Sequence, residues 1–194
     1  MNHLEHAESS AVKILGFCGS LRAKGFTRHA VRIALEGARE SGAEVELVDF
    51  AQLALPFCTG SDEVQAAHPG VIQLRKMVQE AHGAIWGTPE YHGSFSGVLK
   101  NALDLTDLDD WRGKVVGLVG VSGGSTGPTS AINALRDVGR GLDAWVLPRQ
   151  VAIAAPHKVF DAAGEPLAAD LRERLLKLGR ETARFARVHA PHKH

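Results

Sequence analysis

Short apolar runs, each too brief for a helix, alternate along this chain with longer segments whose apolar residues recur every three or four positions. That alternation limits the fold more than any other feature. Val12 to Cys18 is the first apolar run and stops at Gly19-Ser20. From Thr27, read as the N-cap, the apolar positions Val31, Ala34, Leu35 and Ala38 keep helical spacing until Ser41-Gly42. Val45, Leu47 and Phe50 mark a second strand, and Leu53 to Pro69 has no period, so it is expected to be an irregular site wall. Val71, Leu74 and Val78 predict a second helix ending near His82-Gly83, followed by Ala84-Ile85-Trp86 as the third strand. A helix face through Phe95, Val98, Leu99, Ala102 and Leu103 comes next, then a fourth strand over Lys114 to Val121. Ile132, Leu135 and Val138 lie on a helix with Pro128 in its first turn. Asp143 to Leu147 reads as the fifth strand, extended past Pro148 by Val151 to Ile153, and Leu167 to Phe185 carries the stripe of the last helix.

Strand and helix thus alternate five times. The pattern predicts one α/β domain over residues 11–188: a doubly wound five-stranded parallel sheet in the order 2-1-3-4-5, with helices on both faces. Residues 1–10 and 189–194 are expected to fray as tails. In such sheets ligands lie beyond the carboxyl ends of the strands, at the switch point between strands one and three. The loops after those strands are where chemistry should be sought.

Composition narrows the partners. With 22 basic and 22 acidic side chains the formal charge is zero, so no global field draws nucleic acid or an anionic membrane. No apolar run approaches the roughly 20 residues of a membrane span, and no charged-then-apolar leader precedes the first strand. Cys18 and Cys58 form neither a disulfide framework nor a metal-ligand pattern, so no metal is expected and a reducing cytoplasm is the expected location.

The first loop, Gly19-Ser20-Leu21-Arg22-Ala23-Lys24-Gly25-Phe26-Thr27, offers backbone amides, the hydroxyls of Ser20 and Thr27, the Arg22 guanidinium and a helix N-terminus. Together these suit a phosphate, although a polar turn capping a helix would look the same. The loop lacks the Gly-Lys-Ser/Thr ending of a Walker loop, and Gly16-x-x-Gly19 breaks dinucleotide spacing. After the third strand, Pro89, Glu90, Tyr91 and His92 place amides and side chains where a planar heterocycle could lie; ordinary packing of Tyr91 and a solvent-facing His92 are the alternatives. Trp86 is read as core, and Lys100-Asn101 as helix surface or subunit contact.

Gly120-Val121-Ser122-Gly123-Gly124 matches the G-x-S-x-G nucleophile elbow, and Ser122 with Asp143 or Asp161 and His189 has the chain order of a hydrolase triad. Three points oppose it. The helix begins near Pro128, several residues beyond Ser122; no second glycine-rich oxyanion loop follows the third strand; and His189 falls in the frayed tail. A glycine-rich backbone brought close to a ligand fits better.

GSLRAKGFT, GTPEYHGSFSGVLKNALD and GVSGG, in this order and spacing, resemble the NADPH-dependent FMN reductase family with its flavodoxin-like fold, over roughly Val12 to Phe185. The resemblance implies that Ser20, Arg22 and Thr27 hold the FMN phosphate. Pro89, Glu90, Tyr91 and His92 would lie along the isoalloxazine and ribityl group, and Ser122, Gly123 and Gly124 at the ring's far edge. It also implies hydride delivery from NADPH or NADH to FMN and ping-pong transfer to a flavin, quinone, azo, nitro or metal-oxyanion acceptor, with no catalytic side chain because the flavin carries the chemistry. A homodimer or dimer of dimers, built on Tyr91 to Leu108, follows from the family's habit. Two departures stand out: Gly25 where many relatives carry serine, and His92 where many carry asparagine. A flavin-binding electron carrier of the same fold is the main alternative.

Overall fold

The computed structural model describes residues 11–60 and 63–189, so the expected N-terminal tail and all but the first residue of the C-terminal one lie outside it. Five parallel strands run in the order β2-β1-β3-β5-β6: β1 (Lys13–Cys18), β2 (Glu44–Val48), β3 (Gly83–Tyr91), β5 (Val115–Ser122) and β6 (Trp145–Ala154). This is the flavodoxin-like order read from the sequence. A sixth, two-residue strand, β4 (Ser94–Phe95), pairs antiparallel with the end of β3. It was not foreseen.

Alternation along β1 builds the two faces. Ile14 packs with α1 (Phe26–Glu40) and α8 (Ala169–His189), in a core with Val31, Ala34, Leu175 and Leu178. Leu15 and Phe17 face the other side, towards α4 (Pro69–Glu80), α5 (Gly97–Asp104), α6 (Leu108–Trp111) and α7 (Thr129–Gly141). There Trp86 and Trp111 meet edge-on at 4.9 Å, and Phe17 adds a second edge contact to Trp111 at 5.4 Å. Trp86 is core, as read.

Where α1 crosses α8, glycines let the backbones touch. A Cβ on Gly179 would lie 1.7 Å from the Ala34 carbonyl oxygen, and one on Gly37 2.0 Å from that of Leu176. This crossing seats α1 against the sheet, and the N-terminus of α1 opens on the strand ends. Helix position is therefore tied directly to site position.

Several boundaries moved for local reasons. Gly25, not Thr27, is the N-cap of α1, and Thr27 is buried in its first turn. Pro128 is the N-cap of α7 rather than a first-turn residue, and Leu167 is exposed ahead of α8. The wall from Leu53 to Pro69 contains the end of α2 (Phe50–Leu53) and a further short helix, α3 (Glu63–Ala66). Pro148 sits inside β6, which tolerates it because among the described residues β6 pairs with β5 alone and the register shifts beside it, between Val116 and Leu118. Asp143 precedes β6 in a left-handed conformation (φ 53°) instead of beginning it.

Candidate active site

The carboxyl ends of β1, β3 and β5 border a cleft of about 340 Å³. Its lining includes Ser20, Arg22, Lys24, Gly25, Phe26 and Thr27 from the first loop, Pro89, Glu90 and Tyr91 from β3, Val121 and Gly123 from the third, and Pro156 and His157 from beyond β6. Seven of the ten residues singled out in the sequence meet there. His92, Ser122 and Gly124 do not line it.

The first loop leads into a helix terminus that no side chain caps. The Arg28 and His29 amides bond back to the Gly25 carbonyl, and no side chain caps the helix, so the amides of Phe26 and Thr27 face the open end of a 15-residue α1. Gly25 donates to the Arg22 carbonyl at 3.0 Å, and a Cβ on it would lie 3.1 Å from both that oxygen and Ser20 Oγ. The missing serine at this position thus matches a turn already closed tightly. Cys18, beneath the loop, is free, and burial pushes its thiol up, which makes it a poor nucleophile.

β3 runs on as strand through Tyr91, where a loop was expected. His92 (φ 52°) and Gly93 (φ 78°) then form a two-residue hairpin joining Tyr91 to Ser94. Two successive positive φ values define the type I′ turn, whose first position favours asparagine and accepts histidine with little cost. The His92 departure therefore concerns turn geometry: its side chain is exposed and off the cleft wall. Glu90 lines the cleft, but its Oε2 accepts from the Ala131 amide at 3.0 Å in the first turn of α7. The carboxylate is committed to a helix terminus.

A buried polar strut, missed in the sequence, ties the first loop to this hairpin. Ser96 Oγ donates to the Gly19 carbonyl at 2.6 Å and accepts from the Leu99 amide at 3.3 Å, making it the N-cap of α5. The Ser96 amide donates to Thr88 Oγ1 at 2.9 Å, and Thr88 Oγ1 donates to the Pro89 carbonyl at 2.8 Å. Gly19 in turn donates to the Gly87 carbonyl at 2.7 Å. A serine just ahead of Gly97-Val98-Leu99 is an N-cap signature that could have flagged Ser96. Asn101, read as helix surface or subunit contact, instead clamps the segment after β2: it accepts from the Cys58 amide and donates to the Pro56 carbonyl, each at 2.9 Å. Lys100 does remain on the surface, paired with Asp104.

The triad is overturned by geometry. Ser122 ends β5 at the cleft side and its Oγ accepts from the Gly124 amide at 3.2 Å. His189 stacks on Trp145, which pairs with Val115 at the opposite end of β5, seven residues and about 23 Å away. Asp143 lies at that far end with Arg112, and Asp161 Oδ1 is occupied by the Ala163 and Glu165 amides.

Comparisons with known proteins agree with this architecture. FerB, a flavoenzyme NAD(P)H:(acceptor) oxidoreductase from Paracoccus denitrificans, superposes with a TM-score of 0.78 at 20% identity, covering 92% of this chain and 99% of its own. The NADPH-dependent FMN reductase ArsH of Shigella flexneri is 34% identical over 191 residues, 96% of this chain and 73% of the relative. An NAD(P)H:quinone oxidoreductase of Solanum tuberosum is 33% identical over 178 residues, 87% and 90% of the two chains. A family model described as NADPH-dependent FMN reductase matches residues 12–158, and the chain belongs to that family.

Proposed function

We propose that the cleft binds FMN, with its phosphate at the N-terminus of α1 and its ring beside the Pro89–Tyr91 end of β3, and that the protein passes electrons from NADPH to a small acceptor. The observation that carries this is the uncapped first turn of α1, opening among Ser20, Arg22 and Thr27. An unsatisfied helix terminus with a guanidinium and two hydroxyls beside it fits a phosphate monoester. Bound there, FMN would accept a hydride from the nicotinamide and release two electrons to the acceptor. The chain's part is to bind and orient. Arg22 and the Phe26 and Thr27 amides neutralise the phosphate, the β3 backbone lies along the ring, and Gly123 leaves room for it. Ser122 holds the third loop closed through Gly124. The acceptors named for relatives, quinone and azo compounds among them, support a planar conjugated acceptor.

Affinity tests the phosphate assignment. Wild type is expected to bind FMN more tightly than riboflavin, and Arg22→Ala to narrow that gap about tenfold by weakening FMN alone, as loss of a charge-assisted contact would. Equal affinity of the wild type for both flavins would refute the assignment.

We further propose a homodimer or dimer of dimers built on Tyr91 to Leu108. Tyr91 and Leu108 keep 49% and 37% exposure, respectively, which leaves apolar surface at both ends of this stretch. A concentration-independent monomer mass in light scattering would contradict it. Two free cysteines, with no helix among the described residues long and apolar enough to cross a membrane, support a reducing, cytoplasmic setting.

A further inference from the structure

The segment after β6 is none of the three strand-end loops from which the site was read, yet it forms a wall of the same cleft. Ala154, the last residue of β6, pairs with Ser122. Ala155 then turns left-handed (φ 42°), its amide donating to the carbonyls of Ser122 at 2.9 Å and Gly124 at 3.2 Å. A 3-10 turn over Pro156–Lys158 follows, and the chain is pinned again at Phe160. That ring is buried and lies 5.5 Å from the ring of Phe26, the first residue of α1. The turn is thus fixed at one end to the glycine-rich loop and at the other to the helix that would hold the phosphate. His157 is exposed on this fixed turn, on a cleft wall shared with Arg22 and Lys24.

Charge is distributed unevenly there. The chain as a whole is neutral. Within the cleft lining, two permanent cations and an imidazole face one carboxylate, Glu90, whose Oε2 already accepts from a backbone amide. A concave wall of one sign concentrates the opposite charge. A phosphate monoester carries about −1.5 to −2 charges at neutral pH and three acceptor oxygens.

Resting on the FMN reading above, we propose that His157 and Lys24 are specificity-determining residues that contact a phosphate monoester at the cleft wall they share with Arg22. His157 would donate a ring N–H from the turn after β6 and Lys24 would add a mobile point charge from the first loop. Two phosphates share this chemistry: the 5′-phosphate of FMN and the 2′-phosphate that distinguishes NADPH from NADH.

The test compares His157→Ala, Lys24→Ala and His157→Lys with wild type in two arms. One arm measures Kd for FMN and for riboflavin by flavin fluorescence; the other measures KM for NADPH and for NADH with a quinone acceptor on FMN-saturated protein. Each alanine variant is expected to lower one preference ratio by about three- to tenfold, the scale of a charge-assisted contact open to solvent, and His157→Lys to restore it. The arm that moves identifies the phosphate. A merely structural role for His157 would weaken both members of a pair alike and leave the ratios unmoved. Wild type that prefers FMN to riboflavin, with both ratios unchanged in both alanine variants, overturns this proposal and leaves the α1 phosphate site standing. Wild type that prefers neither phosphorylated form overturns both.

Discussion

Gly179→Ala is expected to cost the protein about 2–4 kcal/mol of stability, even though alanine is the better helix former. The added Cβ would lie 1.7 Å from the Ala34 carbonyl oxygen and 2.8 Å from the Ala38 amide nitrogen, so backbone meets backbone with no side chain to swing aside. Overpacking that side chains absorb costs about 1–3 kcal/mol, and the gain in helix propensity returns only about 1 kcal/mol. Here α1 and α8 must separate instead. For a chain of this length the loss corresponds to a melting shift of roughly 5–15 °C. Gly141→Ala is the control: it also lies in a helix, at the end of α7, but its Cβ would enter open space. That variant is expected to be neutral or slightly stabilised, and equal melting shifts in the two would refute the crossing as the cause.

The second large effect concerns the strut between the first loop and the hairpin. Ser96→Ala removes the N-cap of α5 and leaves the buried Gly19 carbonyl without its 2.6 Å donor. Loss of a cap costs about 0.5–2 kcal/mol and an orphaned buried polar group about 1–3 kcal/mol. Stability is expected to fall by about 2–3 kcal/mol, and FMN affinity about tenfold, because the phosphate loop and the ring-side strand lose their fixed spacing while every proposed flavin contact stays in place. Thr88→Val should act in the same direction by leaving the Ser96 amide unpaired. Since both residues belong to one network, the double variant should cost less than the two singles combined. Additive losses, or FMN binding unchanged in Ser96→Ala, would show that the strut does not position the site.

The fold was legible because period and length separate strands from helices: apart from Lys13 and Lys114, Val12 to Cys18 and Lys114 to Val121 carry no charged residue, and the helices carry clean stripes. What escaped has physical reasons. Thr88 to Tyr91 continues β3 with glycine before it and proline within it, so its composition is that of a loop. His92-Gly93 makes a type I′ turn without the asparagine that usually announces one. The strand read past Pro148 is continuous as β6, and composition alone does not reveal why: among the described residues β6 has a strand neighbour on one side. Three site loops stood out through functional groups clustered after apolar runs. Ser96 and Thr88 act through buried hydrogen bonds with partners as far as 77 residues away, and no local pattern encodes those. His157 reaches the cleft because the segment after β6 packs Phe160 against Phe26 of α1, a contact that no local pattern encodes. The nucleophile-elbow match shows the converse error: Ser122 has the right neighbours in sequence, while the fold places His189 at the opposite end of β5.

One measurement bears most directly on the central claim, that the cleft at the head of α1 is a flavin site at which nicotinamide reduces FMN. FMN-loaded protein, mixed anaerobically with NADPH in a stopped-flow instrument, is expected to lose its visible flavin absorbance in a rapid single turnover and to regain it when a quinone is added. An electron carrier of the same fold would stay oxidised until supplied with a partner reductase. Flavin-loaded protein that keeps its colour with both NADPH and NADH would contradict the account.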